Sequence, residues 1–308
     1  MKTLPKPTKV WIITLAVIAL GILIAGLVSG AEEEQVPLPA YLQEAKYITS
    51  AKCKLCHKPV YTAWAETQHA KNVETGPWAT PAAEGTTPPA EGQDTASAGA
   101  CCEATPAAEG TTPSDQGQAP PPELVYRYVT GFNPADGTWA EKGTACEACH
   151  GPGSAHMAAK ADERKAMIVN PGNLPTMGQK VSLCGSCHGQ YSIGDQRYAP
   201  GFLPGMDLFK IEGFQLDPPD PAKQFDQLNQ LKQSKHFENG VDCLTCHDGH
   251  SDQPQAHQLR KPVIELCTGC HQDKQMATHA PQAAEGDTCA TCHMPGGQHL
   301  FAVPAPPQ

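Results

Sequence analysis

Six copies of one five-residue pattern, C-x-x-C-H, constrain this chain more than anything else in it. They fall at Cys53/Cys56/His57, Cys146/Cys149/His150, Cys184/Cys187/His188, Cys243/Cys246/His247, Cys267/Cys270/His271 and Cys289/Cys292/His293, and use 12 of the 14 cysteines. Each copy suits one chemistry: two thiols add to the two vinyl groups of a haem, and the histidine that follows ligates its iron from the proximal side. A C-x-x-C pair is also half of a four-cysteine zinc site, and six pairs would make three such sites. That reading leaves the histidines unexplained. Histidine fills 13 of 308 positions, so its presence after all six pairs has chance odds on the order of one in a hundred million. A disulfide framework fails on the same point. The pattern predicts six covalently bound c-type haems.

The N-terminus predicts export. Lys2, Lys6 and Lys9 precede an apolar run over 10–28, and Glu32, Glu33 and Glu34 follow it. Positive charge before such a run and negative charge after it put the bulk of the chain on the outer side of the cytoplasmic membrane, periplasmic or extracellular. Ser29 and Ala31 form a small-x-small cleavage site, so residues 1–31 read as a signal peptide or a membrane anchor. The 19-residue run exceeds the ~7–15 residues of a signal core and approaches the ~20 of a span, which favours the anchor. Net charge is −10, and residues 1–31 hold three lysines and no acid, leaving −13 on the rest. That excludes nucleic acid as a partner and predicts a redox partner that offers a basic face. No Walker, dinucleotide-fold or nucleophile-elbow motif is present.

Aromatic residues make up 6 % of the chain, against 30 prolines and 28 glycines. So few large apolar side chains build a poor core by themselves, and the porphyrins must supply it; the apoprotein is expected to be largely unfolded. Residues 79–122 are of low complexity and contain a near-repeat, TPAAEGTTPPAEGQ from Thr80 and TPAAEGTTPSDQGQ from Thr105. They read as a disordered insertion between a first haem-binding segment, 32–78, and a five-haem segment, 123–302, that packs with it as one domain, with a tail at 303–308. About 230 residues then serve six haems, roughly 40 each, too few for separate domains. The expected fold is mainly α with extensive irregular loops and little β, organised around packed haems. Tyr61, Ala65 and His69 share a helical face, Ser154 caps a helix through His156 to Met167, and Asp220-Pro221 opens one carrying Phe225, Leu228 and Leu231 to His236. Cys101 and Cys102, inside the insertion, lack a following histidine and read as a spare or disulfide-bonded pair.

A six-coordinate iron needs a distal ligand. Seven histidines lie outside the motifs, His69, His156, His236, His250, His257, His279 and His299, close to a complete set for six haems. Met157, Met167, Met177, Met206, Met276 and Met294 are the competing ligands, but none has a repeated context, and each reads as packing. The stretches KLCHKPVYTAWAETQHA, ACEACHGPGSAH, SKHFENGVDCLTCHDGH and CATCHMPGGQH resemble segments of the multihaem cytochromes related to the tetrahaem electron carrier of ammonia oxidation. The resemblance spans about 47–78 and 124–302. It implies distal ligation by His69, His156, His236, His250, His279 and His299, leaving His257 over. Which distal histidine serves which motif stays open, and six motifs in place of four prevent the haem layout from being carried across.

If all six irons hold two histidines, none is open to substrate, and the chain is an electron carrier between redox proteins or a membrane quinol or electron-transfer complex. The alternatives are an oxidoreductase acting on small nitrogen or sulfur oxyanions at one open haem, and a subunit of an extracellular cytochrome filament. No residue is assigned a catalytic role.

Overall fold

Most helices of this chain last one or two turns, and the residues that stop them can be named. In the computed structural model, residues 37–72, 122–251, 256–281 and 283–302 are described, and from Leu38 onward the chain groups as one unit. The expected N-terminal segment 1–31, most of the insertion with Cys101 and Cys102, and the tail 303–308 lie outside the described residues. Among those described, no helix is long and apolar enough to cross a membrane.

The first stretch carries α1 (Ala40–Glu44), α2 (Ser50–Cys53), α3 (Lys58–Ala65) and α4 (Gln68–Lys71). After α5 (Pro122–Val125), β1 (Val129–Thr130) pairs antiparallel with β2 (Glu141–Lys142). Next come α6 (Cys146–His150), α7 (Ser154–Ala158) and the 12-residue α8 (Met177–His188). A second antiparallel ladder joins β3 (Tyr191–Ile193) to β4 (Phe214–Leu216), with Ser192 opposite Gln215. The chain continues through α9 (Gln227–Lys232), α10 (Lys235–Glu238), α11 (Cys243–Cys246), α12 (Val263–Thr268), α13 (Met276–His279) and α14 (Cys289–His293). The fold is mainly helical and irregular, with two small sheets among the described residues.

The three expected longer helices are each broken. Tyr61, Ala65 and His69 do not share one helix, because Thr67 ends α3 and caps α4. Its hydroxyl donates to the Trp64 carbonyl at 2.7 Å and accepts from the Ala70 amide at 3.3 Å. The helix containing His156 stops at Ala158, where Ala159 turns extended, and a separate 3-10 turn covers Arg164–Met167. Ser154 is no cap: it lies inside α7 and its hydroxyl accepts from the Lys46 amide at 2.7 Å. Asp220-Pro221 opens no helix either. Phe225 takes a left-handed φ of 60°, so α9 starts only at Gln227, and Ser234 ends the run before His236. The Ser234 hydroxyl donates to Leu231 at 2.7 Å and accepts from Phe237 at 3.2 Å, opening α10.

Among the described residues there is no single apolar core. Three small clusters gather around α8: Leu42, Val169, Leu174 and Leu183; Val181, Leu228 and Leu231; and Tyr191, Ala199 and Leu208. A capping box, Thr176 with Gln179, starts α8. Gly185, inside the third motif, lets α9 approach: a Cβ there would run into the Leu228 side chain. Burying a leucine contributes about 1.5–3 kcal/mol, so clusters of three or four residues hold short segments and little more.

Candidate haem-binding site

Each motif folds so that its histidine amide returns to the first cysteine carbonyl. His57, His247 and His271 donate to Cys53, Cys243 and Cys267 at 2.9, 3.0 and 2.9 Å, and α6, α8 and α14 contain their motifs as helical turns. Residues three and four apart on such a turn share a face. Both thiols and the imidazole of one motif therefore lie on the same side, as attachment and ligation by one haem require.

Opposite each motif imidazole stands a second one. The ring centres are 6.1 Å apart for His57 and His156, 5.9 Å for His150 and His250, and 6.0 Å for His188 and His69. They are 6.2 Å apart for His247 and His299, 5.9 Å for His271 and His236, and 6.0 Å for His293 and His279. Two imidazoles bonded at about 2.0–2.1 Å on opposite sides of one metal put their ring centres about 6.3 Å apart. The residues fit a haem iron with two axial histidines.

Hydrogen bonds orient several of these rings. His150 Nδ1 pairs with the Val169 carbonyl at 2.8 Å, His247 Nδ1 with that of His257 at 3.0 Å, and His293 Nδ1 with that of Ala302 at 2.8 Å. His156 Nδ1 pairs with the Arg164 carbonyl at 2.8 Å. A proton held on Nδ1 by a carbonyl leaves the Nε2 lone pair for metal. Burial pushes the His188 imidazole down to about 4, with the neighbouring His69 adding to it. Burial also lowers His150, His236, His247 and His299. These rings stay neutral at pH 7, the form that ligates metal.

Neighbouring motifs meet through their cysteines. Cys53 lies beside Cys146, Cys184 beside Cys243, and Cys267 beside Cys289. The matching helices pack together: α2 on α6, α8 on α11, and α12 on α14. Glu147 and Ala148 of the second motif and Ser186 and Cys187 of the third line one cavity. Cys246 of the fourth motif lies near Cys267 of the fifth. Phe301 lies between the same two neighbourhoods, 4.0 Å from the His236 ring and 6.2 Å from the His299 ring. Among the described residues no three of His, Cys, Asp and Glu converge as a zinc site needs.

Two carboxylates fasten the first motif to the second. The buried Glu147, an x of the second motif, accepts from the Ile48, Thr49 and Gly153 amides at 3.0, 2.8 and 2.7 Å. Glu141 accepts from the Ser50 amide at 2.8 Å, and burial raises its carboxyl. His257, the supernumerary histidine, serves through its backbone carbonyl. That contact, the caps at Thr67 and Ser234, and the rings of Phe225 and Phe301 escaped the sequence. The spacing Thr67-x-His69 and Ser234-x-His236 was the one available signal.

A family model described as cytochrome c554 and c-prime matches residues 52–120, and one described as the doubled CXXCH motif matches 235–276. Over 184 residues, half of this chain, the sequence is 26 % identical to the dissimilatory sulfite reductase MccA of Wolinella succinogenes. The match spans 22 % of that protein's length. The outer cell wall cytochrome OcwA is similar in structure, with a TM-score of 0.49 at 18 % identity over 83 % of this chain and 80 % of that one. The undecahaem cytochrome from the S-layer of Carboxydothermus ferrireducens gives 0.42 at 19 % identity over 87 % of this chain and 53 % of that one. With haem-attachment families matched in both halves, and every C-x-x-C-H histidine set opposite a second imidazole, the chain is a multihaem c-type cytochrome.

Proposed function

We propose that the chain carries six haems, each held between a motif histidine and one other: His57 with His156, His150 with His250, His188 with His69, His247 with His299, His271 with His236, and His293 with His279. The single observation that carries this is the spacing of 5.9–6.2 Å between the rings of all six pairs. Attachment is through Cys53, Cys56, Cys146, Cys149, Cys184, Cys187, Cys243, Cys246, Cys267, Cys270, Cys289 and Cys292. Haem supplies a one-electron ferric–ferrous couple, tuned by its axial ligands and surroundings. With a histidine of each pair holding either side of its haem, no position would be left for a substrate, and the protein would work as a carrier. The cysteine contacts follow the order of the motifs, so the electron path follows the chain from the first motif to the sixth. Residues 32–78 and 123–302 form one haem domain, exported and tethered or released at 1–31, that exchanges electrons with other redox proteins.

Intact mass of the purified protein tests the haem number and the mature N-terminus together, with six haem increments expected. The dithionite-reduced protein should bind carbon monoxide slowly or not at all. Rapid, stoichiometric binding would sink the carrier reading. The similarity to a sulfite reductase over half of the chain favours a second reading, an oxyanion reductase with one open iron. Its sign would be a saturable shift of the haem spectrum on adding sulfite.

A further inference from the structure

The acidity of the chain as a whole hides a basic end. Residues 45–65, which surround the first motif, hold Lys46, Lys52, Lys54 and Lys58 and no acid. All four lysines are exposed. Three of the exposed large apolar side chains lie in the same neighbourhood: Leu55 between the two cysteines at 74 %, Val60 at 45 %, and Met157, next to His156, at 46 %. Of the carboxylates beside this region, two are engaged by its backbone and the exposed Glu66 by a lysine, while Glu44 is exposed just ahead of it. Glu141 and Glu147 accept from the backbone of 48–50, and Glu66 pairs with Lys71 at 3.1 Å. The sixth motif lies in the opposite kind of field. Residues 261–302 hold two lysines against Glu265, Asp273, Glu285 and Asp287.

We propose that the exposed surface around the first motif, Lys52, Lys54 and Lys58 with Leu55 and Val60, is the docking face for an acidic redox protein. This rests on the haem path of the preceding subsection, in which the first motif is one end. Lysines around an apolar patch suit such a partner on two counts: the charges steer the encounter, and the patch excludes water once contact is made. One electron crosses per encounter, the partner losing it as a ferric haem becomes ferrous, or the reverse. A second copy of this chain is a poorer occupant. At its acidic end Glu265 and Asp273 are already paired with Lys261 and Lys274, at 2.8 and 2.7 Å. An anionic membrane is a poorer one too, since the patch offers three large exposed apolar side chains and its α3 is only eight residues long.

The test uses the holoprotein and a reduced flavodoxin, a strongly acidic one-electron donor, in stopped flow at several salt concentrations. The wild-type rate should fall with salt. The combined variant Lys52→Glu/Lys54→Glu/Lys58→Glu should react at least about tenfold more slowly at low salt, with the salt dependence flattened or reversed. Lys52→Arg/Lys54→Arg/Lys58→Arg should keep the rate, and Glu285→Lys at the far end should leave it nearly unchanged. Should the reversal variant mature poorly, Leu55→Asp with full haem content is the second probe, expected to slow the reaction at all salts. Unchanged rates in both, or a larger loss from Glu285→Lys, overturn the proposal. It is also overturned if the reversal instead abolishes self-association in sedimentation, or binding to phosphatidylglycerol vesicles, and leaves the flavodoxin rate unmoved. Haem content and carbon monoxide binding, read on the same samples, separate a failed docking face from a failed carrier reading.

Discussion

At the scale of single residues, the six histidine pairs are not alike. In four of them the ring planes are close to parallel, at 14°, 18°, 25° and 31°. The other two, His188 with His69 and His271 with His236, are crossed at 66° and 75°. In each crossed pair one ring abuts a phenylalanine with a left-handed backbone. Phe225 (φ 60°) lies 5.8 Å from His188, and Phe301 (φ 53°) lies 4.0 Å from His236. Crossed imidazoles leave two iron d orbitals nearly degenerate, which gives a ferric low-spin signal of large gmax, while near-parallel rings give a rhombic one. Electron paramagnetic resonance of the oxidised protein should therefore show two large-gmax haems beside four rhombic ones. Phe301→Leu should move one of the two towards the rhombic form without loss of low-spin intensity. His257 gives the opposite expectation. Its ring faces none of the six motif imidazoles, and its backbone has a left-handed φ of 59°. His257→Asn, which tolerates that backbone and keeps the carbonyl on His247, should leave the haem spectrum unchanged, whereas His250→Ala should open one iron to carbon monoxide.

At the scale of elements, the same joint is used twice to turn a histidine towards a motif imidazole. Thr67 and Ser234 each close one short helix and open the next, and His69 and His236 follow two residues later. A continuous helix would have carried each imidazole onward along its axis; the joint redirects the chain so that the ring meets a distant motif. Both hydroxyls are buried with both hydrogen bonds made. Thr67→Val and Ser234→Ala should each cost about 0.5–2 kcal/mol of holoprotein stability in denaturant titration, and both should raise the rate of carbon monoxide binding by loosening a distal ligand. The joints were illegible in the sequence. Periodicity counts apolar spacing and carries no signal for a hydroxyl that accepts from one turn while it donates to the last. The same blindness extended the expected helix at Ser154, whose hydroxyl is bound by the amide of Lys46, 108 residues away.

At the scale of the whole molecule, the apolar clusters among the described residues are small, and all three lie around α8. Distant stretches of chain also meet through paired imidazoles: His57 reaches His156, His69 reaches His188, and His150 reaches His250. A haem held by such a pair would be a cross-link as well as an apolar body, and its binding free energy would become folding free energy. Cleaving the thioethers and extracting the haem should abolish most helical circular dichroism at neutral pH, with no cooperative thermal transition left. Retention of a cooperative transition would show that the polypeptide clusters suffice.

The six C-x-x-C-H motifs were fully legible, because attachment chemistry is local: two thiols and one imidazole must share a single turn, and adjacent residues satisfy that alone. The seven remaining histidines could be counted and a family resemblance singled out six, and those six are the ones that stand opposite the motif imidazoles. Their partners were not legible. His250 follows the fourth motif yet faces the second, and His299 follows the sixth yet faces the fourth. Such pairings depend on loop closures and on joints such as Thr67 and Ser234, which bring together residues that spacing cannot relate. The charge reading shows the same division. Composition set the net charge at −10 and pointed to a partner with a basic face, but only the tertiary structure turned Glu141 and Glu147 inward and left the lysines of the first motif at the surface. Charge acts through where it is exposed, and that is decided by the fold.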